Sequence, residues 1–341
     1  MGYSMSIGTI MFPLFILLVF ANYFMPCKAQ LSTTFYDTTC PNAITTIQTS
    51  VNASVANNTR NAAFLIRLLF HDCFVQGCDA SLLLGGADSE RESPANNGVF
   101  GYDVIDAAKA AVESVCPGVV SCADILAVAA RDASVAVNGP SWTVRLGRRD
   151  STNSNASQAA TDLPRGNFNL TELIANFDRK GFNAREMVAL SGSHTIGQAR
   201  CSRFRGRIYN SSLNIDAAFN SSLSEICPPT GGDENLQPLD LVSPNTFDNN
   251  YFRNLVASRG LLISDQVLFN GDSADSIVTE YVDNPATFGS DFAAAMVKMS
   301  EIEVLTGTSG IIRTVCNSTV VNGPVMLNSN GQNGQIMYQA S

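Results

Sequence analysis

Histidine is nearly absent from this 341-residue chain, with two residues in all, and tryptophan is reduced to one. Basic charge is in deficit too, since 21 Lys and Arg face 30 Asp and Glu, a formal net charge of -9. Nucleic acids select basic grooves, so this balance excludes them as partners. None of the nine cysteines falls in a CxxC pair, the spacing expected of zinc ligands. Long apolar runs are missing. The most apolar stretch, Ile10 to Phe20, is interrupted by Pro13 and falls short of the ~20 residues a bilayer span needs. It precedes Cys27-Lys28-Ala29, which has the look of a small-residue cleavage site, so residues 1–29 are expected to be a signal peptide and the mature chain to lack a membrane segment. Strand patterns are few, and neither an internal repeat nor a heptad seam is present.

What is there fits export. Removing residues 1–29 takes away Cys27 and leaves eight cysteines, an even number that reads as four disulfides in a secreted chain. Seven Asn-x-Ser/Thr sequons begin at Asn52, Asn57, Asn155, Asn169, Asn210, Asn220 and Asn317. Apolar residues recur at helical spacing, as in Val104, Ile105, Ala108, Ala111, Val112 and Val115, and again in Ile125, Leu126, Ala129 and Ala130. Helix starts are marked by Ser121, by Asn183 with Glu186, and by Ser264 before Asp265-Gln266. The best strand pattern is Ser141 to Leu146. These patterns predict an all-α chain of about ten helices with minor short strands. The stretches 85–101 and 147–169 read as surface connections, and the Asn, Gly and Gln composition of 317–341 predicts a poorly ordered tail.

Both histidines sit in strongly patterned segments. In Arg67-Leu68-Leu69-Phe70-His71-Asp72-Cys73, helical spacing puts Arg67, Phe70 and His71 on one face. The cation would disfavour imidazolium and keep His71 neutral, as a general base requires. In Leu190-Ser191-Gly192-Ser193-His194-Thr195, a continued helix would put Leu190 beneath His194, and the small residues leave room for a flat ligand. One neutral imidazole with no second protein ligand nearby suits haem better than a bare metal ion.

The segments RLLFHDCF and VALSGSHTIG resemble the distal and proximal haem motifs of the secreted (class III) plant peroxidases. The similarity continues through Gln30 to Tyr36, Val75 to Ser81, Ser121 to Ile125, Gly139 to Trp142, Leu146 to Asp150 and Phe247 to Asn249, as far as Cys316. The resemblance implies a haem peroxidase domain over 30–316, all-α, with distal and proximal helical halves around one haem b. It implies reduction of hydrogen peroxide to water while two small phenolic or other aromatic donors each lose one electron. His71 would move the peroxide proton, Arg67 would stabilise developing charge, Asn96 would orient His71, and Phe70 would line the pocket. His194 would be the axial iron ligand, with Asp265 accepting its other N–H, and Pro164 would border the donor opening.

Two calcium sites follow from the same resemblance, the first from Asp72, Val75, Gly77, Asp79 and Ser81, the second from Thr195, Asp240, Ser243, Thr246 and Asp248. Both sets supply the oxygen ligands a hard cation takes. The cysteines alone leave 105 pairings open. The resemblance implies Cys40–Cys116, Cys73–Cys78, Cys122–Cys316 and Cys201–Cys227, with chain-entropy contributions of roughly 2 kcal/mol for the shortest loop and roughly 5 kcal/mol for the longest. It further implies a monomer delivered outside the cell or to the wall, or to the vacuole if 317–341 is an address. The chain departs from the family pattern near the opening. Arg165-Gly166-Asn167 follows Pro164, Arg203 stands near a position that some members fill with an aromatic, and Phe100 stands where many carry Arg. A donor site more polar than usual is expected. The rival reading is a calcium-binding cell-wall glycoprotein that kept the scaffold without turnover. It would be marked by loss of Arg67, His71 or His194, and all three are present.

Overall fold

The alanine-rich segment after Ser121 forms the axis of the fold. Ser121 Oγ accepts from the Asp124 N–H at 3.0 Å, and helix α4 runs Cys122–Ala136. Every residue from Cys122 to Ala130 is buried, so the first half of this helix has no solvent face. Its alanines let neighbours approach closely. Against it pack α1 (Ala43–Asn57), α2 (Arg60–Cys73) and α3 (Tyr102–Val115). Leu65, Ile66, Leu68 and Leu69 of α2 are buried in the same core as Ile125 and Leu126 of α4. Truncating one such leucine to alanine would cost about 2–5 kcal/mol, which makes α2 a rigid mount for whatever its other face carries.

The computed structural model describes residue 2 and residues 30–210 and 214–319. The signal peptide expected at 1–29, residue 2 apart, and the expected tail from 320 onward lie outside the described residues. The chain divides into residues 1–30 and 31–341, and every element described here lies in the second unit. After α4 come α5 (Ala156–Asp162), α6 (Leu170–Asp178), α7 (Ala184–Ser191), strand β1 (Gln198–Arg200), α8 (Cys201–Ile208) and α9 (Ala217–Ile226). Strand β2 (Leu236–Pro238) pairs antiparallel with β1 and is followed by α10 (Asn250–Val256), α11 (Ile263–Gln266), α12 (Asp275–Asp283) and α13 (Pro285–Met299). Helix α13 packs on α7, and α10 on α12, with Phe252, Phe288 and Phe292 in edge contacts between them. Among the described residues no helix is long and apolar enough to cross a membrane.

The all-α expectation is met, with thirteen α-helices among the described residues against the ten or so expected. Part of the surplus arises because α5 lies inside a stretch taken as a connection; Asn155 caps it by accepting from Gln158 N–H. The strand expected at Ser141 to Leu146 is absent. Trp142, Val144 and Leu146 are buried while their neighbours face out, yet the segment meets another strand at one bridge only, Leu146 with Ser32. The structure joins Cys40 to Cys116, Cys73 to Cys78, Cys122 to Cys316 and Cys201 to Cys227.

Candidate active site

Helix α2 carries Arg67, Phe70 and His71 around one side. His71 Nδ1 lies 2.6 Å from Asn96 Oδ1, while Asn96 Nδ2 donates to the Glu90 carbonyl at 2.7 Å. That second bond fixes the amide, because a carbonyl can only accept, so Asn96 must present its oxygen to His71. The imidazole proton therefore sits on Nδ1 and the lone pair on Nε2, which accepts from Arg67 Nε–H at 3.0 Å. Arg67 Nη1 also donates to the Gly98 carbonyl at 3.2 Å. Burial and then the Arg67 cation push the His71 pKa down to about 3, with Asn96 pulling weakly the other way. The ring is thus a neutral, oriented base over the whole neutral and mildly acidic range. Phe70 packs on Phe74 at 4.3 Å and meets the His71 ring edge-on at 5.6 Å, which walls one side of the base with hydrocarbon.

The other histidine is placed differently from expectation. Helix α7 begins with the capping box of Asn183 and Glu186, but it ends at Ser191, and His194 rides a 3-10 turn, Gly192–Thr195. Gly192 lets this turn pack closely, since a Cβ there would lie 2.4 Å from Phe288. Leu190 consequently does not stack one helical turn below His194. His194 Nδ1 donates to Asp265 Oδ1 at 2.7 Å, and the buried Tyr251 hydroxyl donates to the same oxygen at 3.1 Å. The other carboxylate oxygen accepts from Leu262 N–H at 2.8 Å. Ser264 is not the cap of α11; Asp265 closes its first turn from within. The residues after His194 reach α2, where a Cβ on Gly197 would lie 3.1 Å from that of Ala63.

These side chains fit a haem. With Nδ1 turned to Asp265, Nε2 is the ring nitrogen left for a ligand, and the His194 side chain keeps 35% exposure beside an otherwise buried carboxylate. Arg67 lies so deep that burial, followed by Arg203 and Arg200, lowers its pKa to about 10, yet its side chain remains open to solvent. Depth with access marks a residue lining an internal cleft.

The residues of the two expected calcium sites lie as follows. Asp72 is fully buried with its oxygens on the N–H groups of Ala80 and Leu82, and the like charge of Asp79, just past the loop closed by Cys73–Cys78, acts on it. Val75 is buried in that loop, and Gly77 adopts a φ of +102°, where a Cβ would strike the Glu303 carbonyl at 2.7 Å. Burial and then Asp79 raise the Asp72 pKa well above the usual range, and burial lifts Asp79 to about 6. Buried Ser81 Oγ makes no hydrogen bond of sound geometry, though it is near enough to Asp79 and Glu90 to favour their ionised forms. In the second set, Thr195 Oγ1 lies 3.4 Å from both Asp240 Oδ2 and Asp248 Oδ1, one hydroxyl proton between two carboxylates. Ser243 Oγ is bridged to Asp248 through the Asn250 amide, and the Thr246 N–H donates to the Ser243 carbonyl. Among the described residues no three His, Cys, Asp or Glu side chains converge on one point, so a cation here would rely on hydroxyl and carbonyl oxygens as well.

Pro164 is half-buried in a loop whose Gly166 carbonyl accepts from Ser264 N–H, which ties it to α11 and Asp265. Sequence reasoning missed Tyr251. It lies 14 residues from Asp265, and only the fold of α10 against α11 brings the two together.

A family model described as Peroxidase matches residues 47–284. A basic peroxidase of Zinnia elegans is 77% identical over 319 residues, covering 93% of this chain and 99% of that protein. A lignin-forming anionic peroxidase of Nicotiana sylvestris is 60% identical over 299 residues, covering 86% of this chain and 92% of that protein. Peroxidase 2 of Oryza sativa subsp. japonica is 56% identical over 303 residues, covering 88% and 96%. The Zinnia protein is named basic, whereas this chain carries a formal charge of -9.

Proposed function

This chain belongs to the class III plant peroxidases and is a haem peroxidase, and from that premise we propose which of its residues do the chemistry. Haem, when bound, supplies the iron that takes up the oxidising equivalents of peroxide and passes them on to donors. His71 Nε2 takes the proton from one peroxide oxygen, and Asn96 holds Nδ1 so that the lone pair points into the cleft. The imidazolium then returns that proton to the other oxygen, which leaves as water. Arg67, already in contact with His71 Nε2, stabilises the negative charge that grows as the O–O bond stretches. Two donor molecules each give up one electron, so one peroxide and two donors yield two waters and two donor radicals. Phe70 keeps water from the base, and Pro164 borders the donor entrance. The observation that carries this reading is the Asn96-locked tautomer of His71.

Below the cofactor, His194 would hold the iron through Nε2 while Asp265 holds the Nδ1 proton. Two calcium ions would neutralise the paired carboxylates, one through Asp72, Asp79, Ser81 and the carbonyls of Val75 and Gly77, the other through Thr195, Asp240, Ser243, Asp248 and the Thr246 carbonyl. Phenolic donors are supported by the lignin-forming relative. Four disulfides and seven sequons, of which Asn52, Asn57, Asn155, Asn169, Asn210 and Asn317 are exposed, support a secreted glycoprotein outside the cell, which we take to act as a monomer, with 317–341 as the segment that would redirect it to the vacuole.

Rapid mixing of haem-loaded His71→Ala with peroxide tests the central step. The change in haem absorbance should slow by at least about 10²–10⁴-fold, the worth of a lost general base. A variant within threefold of wild type would remove His71 from proton transfer.

A further inference from the structure

Three guanidinium groups from three different elements converge on two consecutive residues at the rim of the cleft. Arg203, in the first turn of α8, donates to the Asn97 carbonyl at 3.1 Å. Arg200, the last residue of β1, donates to Asn97 Oδ1 at 3.2 Å. Arg67 donates to the next carbonyl, that of Gly98. Gly98 is at a φ of +93°, and a Cβ there would lie 3.7 Å from the Arg200 guanidinium carbon. The electrostatics agree with the distances, since Arg203 and Arg200 both disfavour the charge on Arg67.

This much positive charge is out of keeping with a chain of formal charge -9. Carboxylates do little to neutralise it. Arg200 pairs with Glu234, whose side chain is 73% exposed and therefore well screened. Arg203 is exposed and pairs with no carboxylate among the described residues, and the residues outside that set contain no Asp or Glu. Beside the cations lies an aromatic edge. The Phe100 ring, 44% exposed, sits 5.9 Å from the Arg200 guanidinium and 5.2 Å from the Phe64 ring. Arg203 has no carboxylate partner among the described residues and Arg200, in the same cluster, borders an exposed aromatic ring, a combination that suits a flat molecule carrying a carboxylate.

We propose that Arg203, with Arg200, forms a rim subsite for the carboxylate of an anionic aromatic donor, whose ring lies along Phe100. This rests on the assignment of Arg67 and His71 to peroxide cleavage, and it adds a selection among donors, with charged phenols favoured over neutral ones of the same shape. The guanidinium forks supply a bidentate, charge-assisted contact that a neutral side chain of the donor cannot make. Donor binding also offsets the mutual repulsion of the three cations, which meet on the backbone and side-chain oxygens of Asn97 and Gly98 with one exposed carboxylate, Glu234, beside them.

The test compares 4-hydroxycinnamate with 4-hydroxycinnamyl alcohol, which share a phenol ring and differ in the charged end. With the haem-loaded wild type, the rate of reaction with peroxide in the absence of donor reports separately on the peroxide site. In Arg203→Gln, the ratio of kcat/KM for the acid over that for the alcohol should fall about 3- to 5-fold, the size expected of one ion pair at an exposed rim. Arg203→Lys should keep part of the ratio, because it keeps the charge and loses the fork. Wild-type kcat/KM should fall with added salt for the acid and stay level for the alcohol, a reading that needs no variant to fold. An unchanged ratio in Arg203→Gln, or equal salt dependence for both donors, would overturn the subsite. So would loss of haem from Arg203→Gln with equal losses for both donors, since the cations would then serve the carboxylates of the cofactor.

Discussion

The Nε–H of Arg67 donates to Nε2 of His71 over 3.0 Å, so the cation occupies the lone pair to which we assign the peroxide proton. Contact this close keeps the imidazole from charging, and an incoming peroxide must displace the guanidinium from that lone pair to be deprotonated.

The first consequence is a pH profile. Burial first, then Arg67, lowers the His71 pKa from 6.5 to about 3, so the rate of reaction with peroxide should stay level through mild acid and fall only as pH drops through about 3. The linkage runs in the same direction. Between those two pH values the unfolded chain binds a proton that the folded chain refuses, so this group's contribution to stability declines as pH falls across that window. Arg67→Gln removes the coulombic part of the shift and leaves burial, so the acid limb should move to higher pH while the rate on the plateau drops by about 10²–10³-fold with the lost charge stabilisation. Stopped-flow rates across pH measure both effects. A limb that does not move would mean that burial alone sets the basicity of His71.

Much of this site was legible in the sequence because it lies on helix periodicity. Arg67, Phe70 and His71 fall on one side of α2 as their spacing requires, and Ser121 and Asn183 cap helices as their residue types suggest. The failures have a common physical origin, since local patterns report burial and not the partner that causes it. Trp142, Val144 and Leu146 alternate with exposed residues as a strand would, yet the buried side is covered by helices and almost no ladder forms. Helical spacing through Leu190 and His194 hid the end of α7 and the 3-10 turn after it, a turn that packs against Phe288, 96 positions beyond Gly192 (288 minus 192). The clustering of Arg200 and Arg203 on Asn97 is likewise a product of tertiary structure.

The second consequence concerns calcium. Asp72 and Asp79 are buried together, and burial raises the proton affinity of both, Asp79 to about 6. In metal-free protein the folded state therefore binds protons that the unfolded state releases, and these groups lose stability as pH rises from about 4 through that value of about 6. Calcium requires both carboxylates ionised, so its binding should release protons in mild acid and its stabilising effect should shrink as pH falls. Melting temperatures with calcium and with chelator, taken at several pH values, should converge toward acid and diverge at neutrality. Because Asp72 and Thr195 adjoin the two histidines in sequence, chelation should also change the haem spin state. If chelation confirmed by metal analysis leaves both readings unaltered at neutral pH, the calcium assignment fails.

The last consequence separates two roles that Asp265 performs at once. Its Oδ2 accepts from Leu262 N–H and closes the first turn of α11, a helix-start role worth about 0.3–1 kcal/mol. Its Oδ1 accepts from His194 Nδ1 and from the Tyr251 hydroxyl. Two donors on one oxygen compete, so Tyr251 restrains how far the carboxylate draws the imidazole proton and how much negative charge reaches Nε2. Asp265→Asn removes the carboxylate charge, so His194 becomes a weaker ligand, the Fe(III)/Fe(II) potential rises, and turnover falls by about 10- to 100-fold. Tyr251→Phe leaves the carboxylate in place with one competitor fewer, so His194 becomes a stronger ligand and the potential falls. Both variants lose a buried hydrogen bond and about 1–3 kcal/mol of stability, so melting temperature cannot distinguish them. The sign of the potential shift can, and spectroelectrochemistry on the two haem-loaded variants reads it directly. Opposite shifts would establish that Tyr251 tunes the iron ligand through the shared oxygen. Shifts of the same sign would remove Tyr251 as a competitor for the shared oxygen, and an unchanged potential in Asp265→Asn would leave Asp265 with its helix-closing role.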